Sequence, residues 1–232
     1  MRFWEIDFCR GIAIVLMVVF NYLFTMRFFN IYMFDGGPLF WILFPRIVAS
    51  MFIIIMGVSL AISYSRNKKI TRHVVRGLKI FSLGLLVTAA TYVFVPKFVI
   101  LFGILHLMGI SIMLSLPFLR FRFNSIVFAL FVIAAGVELS TLGFGFSPFF
   151  WLVPSIFYTL DYFPLLPWFG VALLGLFLGG KLYKNGKRRF VVSNEPGFSK
   201  PFGFLGRHSL IIYIVHLPVL VALLYMLGYS LF

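Results

Sequence analysis

Seven stretches of this chain are apolar over roughly 20 residues each, near 8–26, 39–63, 74–95, 98–118, 124–142, 165–183 and 208–231. That repetition constrains the fold more than any other feature. About 20 apolar residues in a helix span a hydrocarbon layer about 30 Å thick. Within lipid every backbone polar group must be satisfied internally, so helices and closed barrels are the available solutions. The alternating pattern of barrel strands is absent. The expected fold is an all-α integral membrane protein. It is a compact bundle of about seven transmembrane helices plus a re-entrant or interfacial segment, one domain over 1–232.

Charge placement gives an expected orientation. The chain is 62% hydrophobic and only 11% charged, with a mean hydropathy of +1.07, where a soluble domain carries about 25% charged residues. A formal charge of +14 in a soluble protein would suggest nucleic acid; here it follows topology. With the N-terminus cytoplasmic, that side collects Arg2, Arg10, the cluster Arg66 to Lys79, Arg120, Arg122 and the cluster Lys181 to Arg207. Of the 20 Lys and Arg residues, only Arg27, Arg46 and Lys97 then lie outside, as the positive-inside rule requires. The C-terminus is expected outside. Cys9 is the single cysteine, which excludes an intrachain disulfide and a paired Cys/His metal site. The first apolar run begins with Asp7 and Arg10 and lacks a small-x-small cleavage site, so it reads as a retained helix.

Two stretches interrupt the spans. Residues 143–164 are aromatic but broken by Pro148, Pro154 and Pro164. A further span there would put the basic 181–207 region outside, so an interfacial or re-entrant element on the outer face is expected. Residues 184–206 form the one sizeable polar region, expected irregular and cytoplasmic.

Candidate chemistry centres on His106, the one ionisable side chain in the apolar run 102–114. Ionisable groups at bilayer depth are expensive and tend to mark function. Gly103 and Gly109 flank it on about the same helical face, so that face should pack against protein. His106 reads either as a packed hydrogen-bonding group or as a reactive one. A helix starting near Phe98 would place it roughly 12 Å below the outer boundary. On the first span Asp7, Arg10 and Asn21 fall within about 60° of one another, with Asn21 roughly 16 Å beyond Arg10. They form either one polar face leading outward from a cytoplasmic anion site, or a helix-start anion with a snorkelling arginine. Asn21 and His106 are thus expected to meet across one cavity. The imidazole would take a proton and the amide would donate to a developing oxyanion, a pair better suited to acyl transfer than to ion conduction.

Other groups are secondary. Glu138 and Asp161 are the outer acids nearest this role, as binders of a substrate amine or as solvated interfacial groups. Ser209, Tyr213 and His216 share a face. His216 reads as a second catalytic or substrate-binding group, or as a structural hydrogen bond beside Pro218. Arg72, Arg76 and Arg207 suit a polyphosphate, since guanidinium pairs bidentately with phosphate, or serve as topological anchors. His73 and His208 are expected to be solvated. No phosphate loop, dinucleotide fingerprint, zinc signature or nucleophile elbow occurs in the sequence.

Five segments in order carry a resemblance. They are Glu5-Ile-Asp7-Phe-Cys-Arg10-Gly11, Met56-Gly57-Val-Ser59, Phe102-Gly103-Ile-Leu-His106-Leu-Met-Gly109, Pro167-Trp-Phe-Gly170 and Gly206-Arg-His-Ser209 through Tyr213 to His216-Leu-Pro218. Together they resemble small prokaryotic relatives of the heparan-α-glucosaminide N-acetyltransferase catalytic domain, within the wider transmembrane acyltransferase superfamily. The likeness runs from residue 2 to about 225. It implies acetyl-CoA as co-substrate, bound from the cytoplasmic side, with no metal. The acetyl group would pass to an amino-sugar or glycan acceptor on the outer side, through N- or O-acetyl transfer.

Asn21-Tyr22 matches an Asn-Tyr pair that ends the family's first helix. The family places a catalytic histidine shortly afterwards; this sequence has none before the second span, only Tyr32 and Asp35. His106 is therefore the expected base and Asn21 the group that polarises the thioester. Asp7, Arg10, Arg72, Arg76 and Arg207 are expected to hold CoA; Glu138, Asp161, Ser209 and His216 would bind the acceptor. Partners are the lipid bilayer, acetyl-CoA and the acceptor, with a homodimer compatible and nucleic acid not. Two rivals stand beside this reading: a small-molecule or lipid transporter without acyl chemistry, and a non-catalytic membrane scaffold.

Overall fold

A computed structural model describes residues 3–120, 124–143, 148–155, 159–192 and 195–229. Arg2 and Arg122 of the charge pattern lie outside the described residues. So do 144–147 and 156–158 of the expected interfacial segment, 193–194 of the polar region and 230–231 of the last span.

The helices are α1 (Trp4–Phe28), α2 (Gly37–Arg66), α3 (Ile70–Phe94), α4 (Ile104–Leu114), α5 (Leu116–Arg120), α6 (Ser125–Thr141), α7 (Leu165–Leu182), α8 (Ser199–Arg207) and α9 (Ser209–Met226). A two-stranded hairpin, β1 (Tyr183–Lys184) and β2 (Lys187–Arg188), follows α7. The chain is all-α and of membrane type. Among the described residues five helices, α1, α2, α3, α7 and α9, are long and apolar enough to cross a membrane. The stretches Ile104–Arg120 and Ser125–Thr141, where the fourth and fifth spans were expected, are apolar helices but shorter.

The fourth span starts later than its hydropathy suggests. Residues Pro96–Phe98 form one 3-10 turn, and regular helix begins only at Ile104. Two threonines of α3 account for the delay. The Thr88 hydroxyl donates to the Ile100 carbonyl (2.6 Å) and Thr91 Oγ1 accepts the Ile100 N–H (3.1 Å). Ile100 thus spends both backbone groups on side chains of α3 and not on a helix of its own.

The polar stretch 184–206 is less irregular than expected. Asn185 and Gly186 take positive φ (51° and 72°) between β1 and β2, the geometry that a two-residue hairpin turn demands. Beyond it, α8 is amphipathic, burying Ser199, Gly203 and Gly206. Between α6 and α7, the described parts of 148–164 contain no helix. This stretch folds back on itself: the Tyr162 hydroxyl donates to the Phe150 carbonyl (2.7 Å) and accepts the Ser155 N–H (2.9 Å). Burial pushes that phenol above its ordinary pKa.

The chain divides into two compact units, 1–52 with 192–232, and 53–191; α2 gives its first half to one and its second half to the other. In the first unit Gly11 faces the Phe202 carbonyl and Gly206 faces the Asp7 carbonyl, each too close to admit a Cβ. This brings α8 onto the start of α1. Further along, Ile14, Met17 and Val48 form an apolar core against which Phe44, Phe52, Ile212 and Tyr213 pack. In the second unit small residues do the same work, as close helix packing in lipid requires. Gly77 meets the Gly109 carbonyl between α3 and α4, and Gly57 with Gly175 lets α2 and α7 touch backbone to backbone.

Candidate active site

His106 occupies the first turn of α4 and is 2% exposed. The late helix start corrects the expected placement eight residues into a span. The Gly103 N–H donates to His106 Nδ1 (3.2 Å), so this side chain caps its own helix. With Nδ1 accepting, a neutral ring carries its hydrogen on Nε2, which lies 3.4 Å from Thr88 Oγ1; that hydroxyl passes its own hydrogen to the Ile100 carbonyl. Phe102 stacks on the ring and Phe81 meets it edge-on, at centroid distances of 5.6 and 5.3 Å. Gly84 lies against the imidazole, and a Cβ there would stand 3.0 Å from three ring atoms, so the ring would have to shift.

Asp161 joins the same helix start. The Ile104 N–H donates to its Oδ2 (3.0 Å), and the carboxylate abuts Gly103. Two orphan donors of the first turn are thus answered by His106 and by Asp161, and an anion there suits the helix dipole. The structure brings these two predicted site residues together. Glu138 instead stands exposed near the end of α6. Sequence reasoning missed Thr88 and Thr91; the signal was two threonines three residues apart in an otherwise apolar run.

The basic groups lie near helix termini, Arg207 as the last residue of α8 and Arg10, Arg72 and Arg76 within the first two turns of α1 and α3. In the first unit the Arg10 guanidinium pairs with Asp7 (Nη1 to Oδ1, 3.3 Å), both largely buried. Arg207 is exposed and follows Gly206, which packs on the Asp7 carbonyl, so it shares that end of the unit. In the second unit Arg72 is exposed on the first turn of α3 and Arg76 half-buried one turn later. No acidic residue occupies that first turn. A helix N-terminus with arginines beside it is suited to phosphate.

His73, expected to be solvated, is fully buried. Its Nε2 lies 3.0 Å from the Asn67 carbonyl, and the ring leans on Tyr64. The reason is helical periodicity: His73, Gly77 and Gly84 form the buried stripe of α3. His208 is exposed, with Nδ1 at 2.9 Å from the Phe204 carbonyl.

Asn21, Ser209 and His216 belong to the first unit. Asn21 is half-buried; its side-chain amide donates to the Met17 carbonyl (2.9 Å), while its backbone carbonyl accepts the Thr25 hydroxyl (2.7 Å). Ser209 is half-buried at the start of α9. His216 is buried, with Nδ1 2.6 Å from the Tyr213 carbonyl. Among the described residues no three His, Cys, Asp or Glu side chains gather to hold a metal.

The family model described as heparan-alpha-glucosaminide N-acetyltransferase, catalytic, matches residues 2–218. The chain belongs to this family. Membership implies transmembrane acetyltransferase activity, in keeping with the multi-pass apolar helices. The matched range takes in α1 through the Pro218 turn of α9 and so contains every candidate residue above. No curated protein and no solved structure gives a significant match.

Proposed function

We propose that this protein takes an acetyl group from cytoplasmic acetyl-CoA and delivers it to an amino-sugar or similar acceptor on the outer side of the membrane, with the N-terminus cytoplasmic. The observation that carries the reading is the family match over 2–218. In the first unit Arg10, held by Asp7, and Arg207 offer guanidinium groups for the CoA phosphates; in the second, Arg72 and Arg76 offer the same chemistry at the start of α3. Asn21 spends one amide hydrogen on Met17; the second is available to polarise the thioester carbonyl. Asp161 and Glu138 in the second unit supply negative charge to attract an amine acceptor, and Ser209 in the first supplies a hydroxyl for it to hydrogen-bond.

His106 was the expected base. To accept a proton at Nδ1 it would first have to release the Gly103 N–H, and Nε2 already carries the hydrogen that faces Thr88. We therefore assign His106 to positioning the start of α4 beside Asp161. The whole chain in detergent micelles, given acetyl-CoA and glucosamine, is expected to release free CoA thiol in proportion to N-acetylglucosamine formed. Acetyl-CoA at saturation is also expected to raise the melting temperature. Glucosamine movement into vesicles without CoA release, and no melting shift, would favour a transporter and contradict the proposal.

A further inference from the structure

Only two residues of α9 are buried, His216 and Leu224; Ile212 and Tyr213 pack on the core of the first unit, and the remaining side chains are mostly apolar and half-buried or exposed. His216 is 8% exposed. Its Nδ1 contacts the Tyr213 carbonyl at 2.6 Å. A carbonyl only accepts, so Nδ1 carries the ring hydrogen and Nε2 carries the lone pair. That Nε2 is buried and has no hydrogen-bond partner among the described residues. Leaving a buried polar atom unmatched costs stability, and each such atom calls for an explanation. A purely structural role beside Pro218 would use the ring to satisfy the Ile214 carbonyl, which Pro218 leaves without its usual donor. The ring bonds Tyr213 instead.

The first unit also sets its height. Gly206 rests on Asp7, and further along Ile212 and Tyr213 pack on the core of Ile14, Met17 and Val48, so α1 and α9 run in the same direction. Beyond that core, His216 lies about 4.5 Å past Tyr213 along α9, and Asn21 lies about 6 Å past Met17 and about 10 Å past Ile14 along α1. Both side chains therefore lie beyond that core, toward the same end of the first unit.

We propose that His216 Nε2 is the general base of the acetyl transfer. The assignment rests on the acetyltransferase reading and supplies the base that the sequence lacks after Asn21-Tyr22. The acceptor nitrogen attacks the thioester carbon, the C–N bond forms and the C–S bond breaks. The proton released from nitrogen passes to Nε2, and the imidazolium then gives it to the departing CoA thiolate. The Tyr213 carbonyl fixes the tautomer and steadies the imidazolium, as an orienting acceptor does for a catalytic histidine.

The test compares wild type with His216→Asn and His216→Gln, full-length in micelles, on two acceptors. Asparagine keeps an N–H for the Tyr213 carbonyl and removes the basic lone pair. With glucosamine, both variants should lose at least about 100-fold in kcat with the KM for acetyl-CoA nearly unchanged, the usual range for a lost general base. With acetohydrazide, unprotonated at neutral pH and readily shedding its proton after attack, the loss should be under about tenfold. Equal losses on both acceptors, or none, overturn the assignment while leaving the acetyltransferase intact. Failure of wild type to acetylate either acceptor overturns both. Should neither variant fold, the wild-type protein decides alone. A solvent deuterium isotope effect on kcat with glucosamine that shrinks with acetohydrazide is expected, and the same effect on both contradicts it.

Discussion

The N–H of Gly103 donates to Nδ1 of His106 across 3.2 Å, so the one ionisable side chain of α4 closes the first turn of its own helix. Its other nitrogen faces Thr88, whose hydroxyl holds the Ile100 carbonyl at 2.6 Å. The buried imidazole is thereby part of the turn that ends α3 and begins α4.

His106→Ala should then be a stability variant first. It removes a cap, about 1 kcal/mol, and leaves a cavity between Phe81 and Phe102, for a total of about 2–4 kcal/mol. Thermal unfolding in detergent should show a clear drop in Tm, while protein kept folded in the cold should retain acetyl transfer within about tenfold. An unchanged Tm would contradict the capping role.

Thr88→Val keeps the shape and deletes the hydroxyl. The Ile100 carbonyl loses its donor and His106 Nε2 its acceptor, at a cost of about 1–3 kcal/mol. Thr88→Ser should restore most of it. Equal stability of the valine and serine variants in chemical denaturation would show that the hydroxyl contributes nothing.

Gly77→Leu or Gly109→Leu should separate α3 from α4, since each glycine abuts backbone of the facing helix. Overpacking of this kind costs about 1–3 kcal/mol or more. Gly180→Ala, where nothing lies within 4 Å, should be neutral or stabilising by up to about 1 kcal/mol. Melting curves of the three proteins give the comparison, and a Gly180 variant as damaged as the other two would refute the packing account.

How far the sequence foretold this depends on what kind of information each feature carries. The places of the five long helices were legible because hydropathy over 20 residues is a one-dimensional property, whereas the fourth and fifth of the seven expected spans are shorter helices. The start of α4 was not legible, because it is set by Thr88 and Thr91 on another helix. His73 was misplaced for a related reason. Its basic neighbours suggest water, but the stripe shared with Gly77 and Gly84 turns it inward. α8 was hidden by low hydropathy; the spacing of Ser199, Gly203 and Gly206 was the available clue. His216 reads two ways from sequence alone, and the proposal made for it rests on an atom left without a partner, which only the structure reveals.

Arg10→Ala should raise the KM for acetyl-CoA about tenfold and leave the KM for glucosamine within about twofold, as expected for one lost charge-assisted phosphate contact. Asp7→Ala, which frees the same guanidinium from its 3.3 Å partner, should act in the same direction but less. Steady-state kinetics with both substrates varied make the check; an effect on glucosamine alone would move these residues out of the donor site.

The most direct measurement is sided. The protein is reconstituted into vesicles with glucosamine trapped inside and radiolabelled acetyl-CoA supplied outside, and vesicles with uniform orientation are selected by protease accessibility of the 184–206 region. Where that basic region faces the acetyl-CoA, labelled N-acetylglucosamine should build up in the lumen as CoA thiol appears outside. Label that stays on the outer side in that orientation, or a lumen that fills with label only when the basic region faces inward, would contradict transfer across the membrane from the cytoplasmic face.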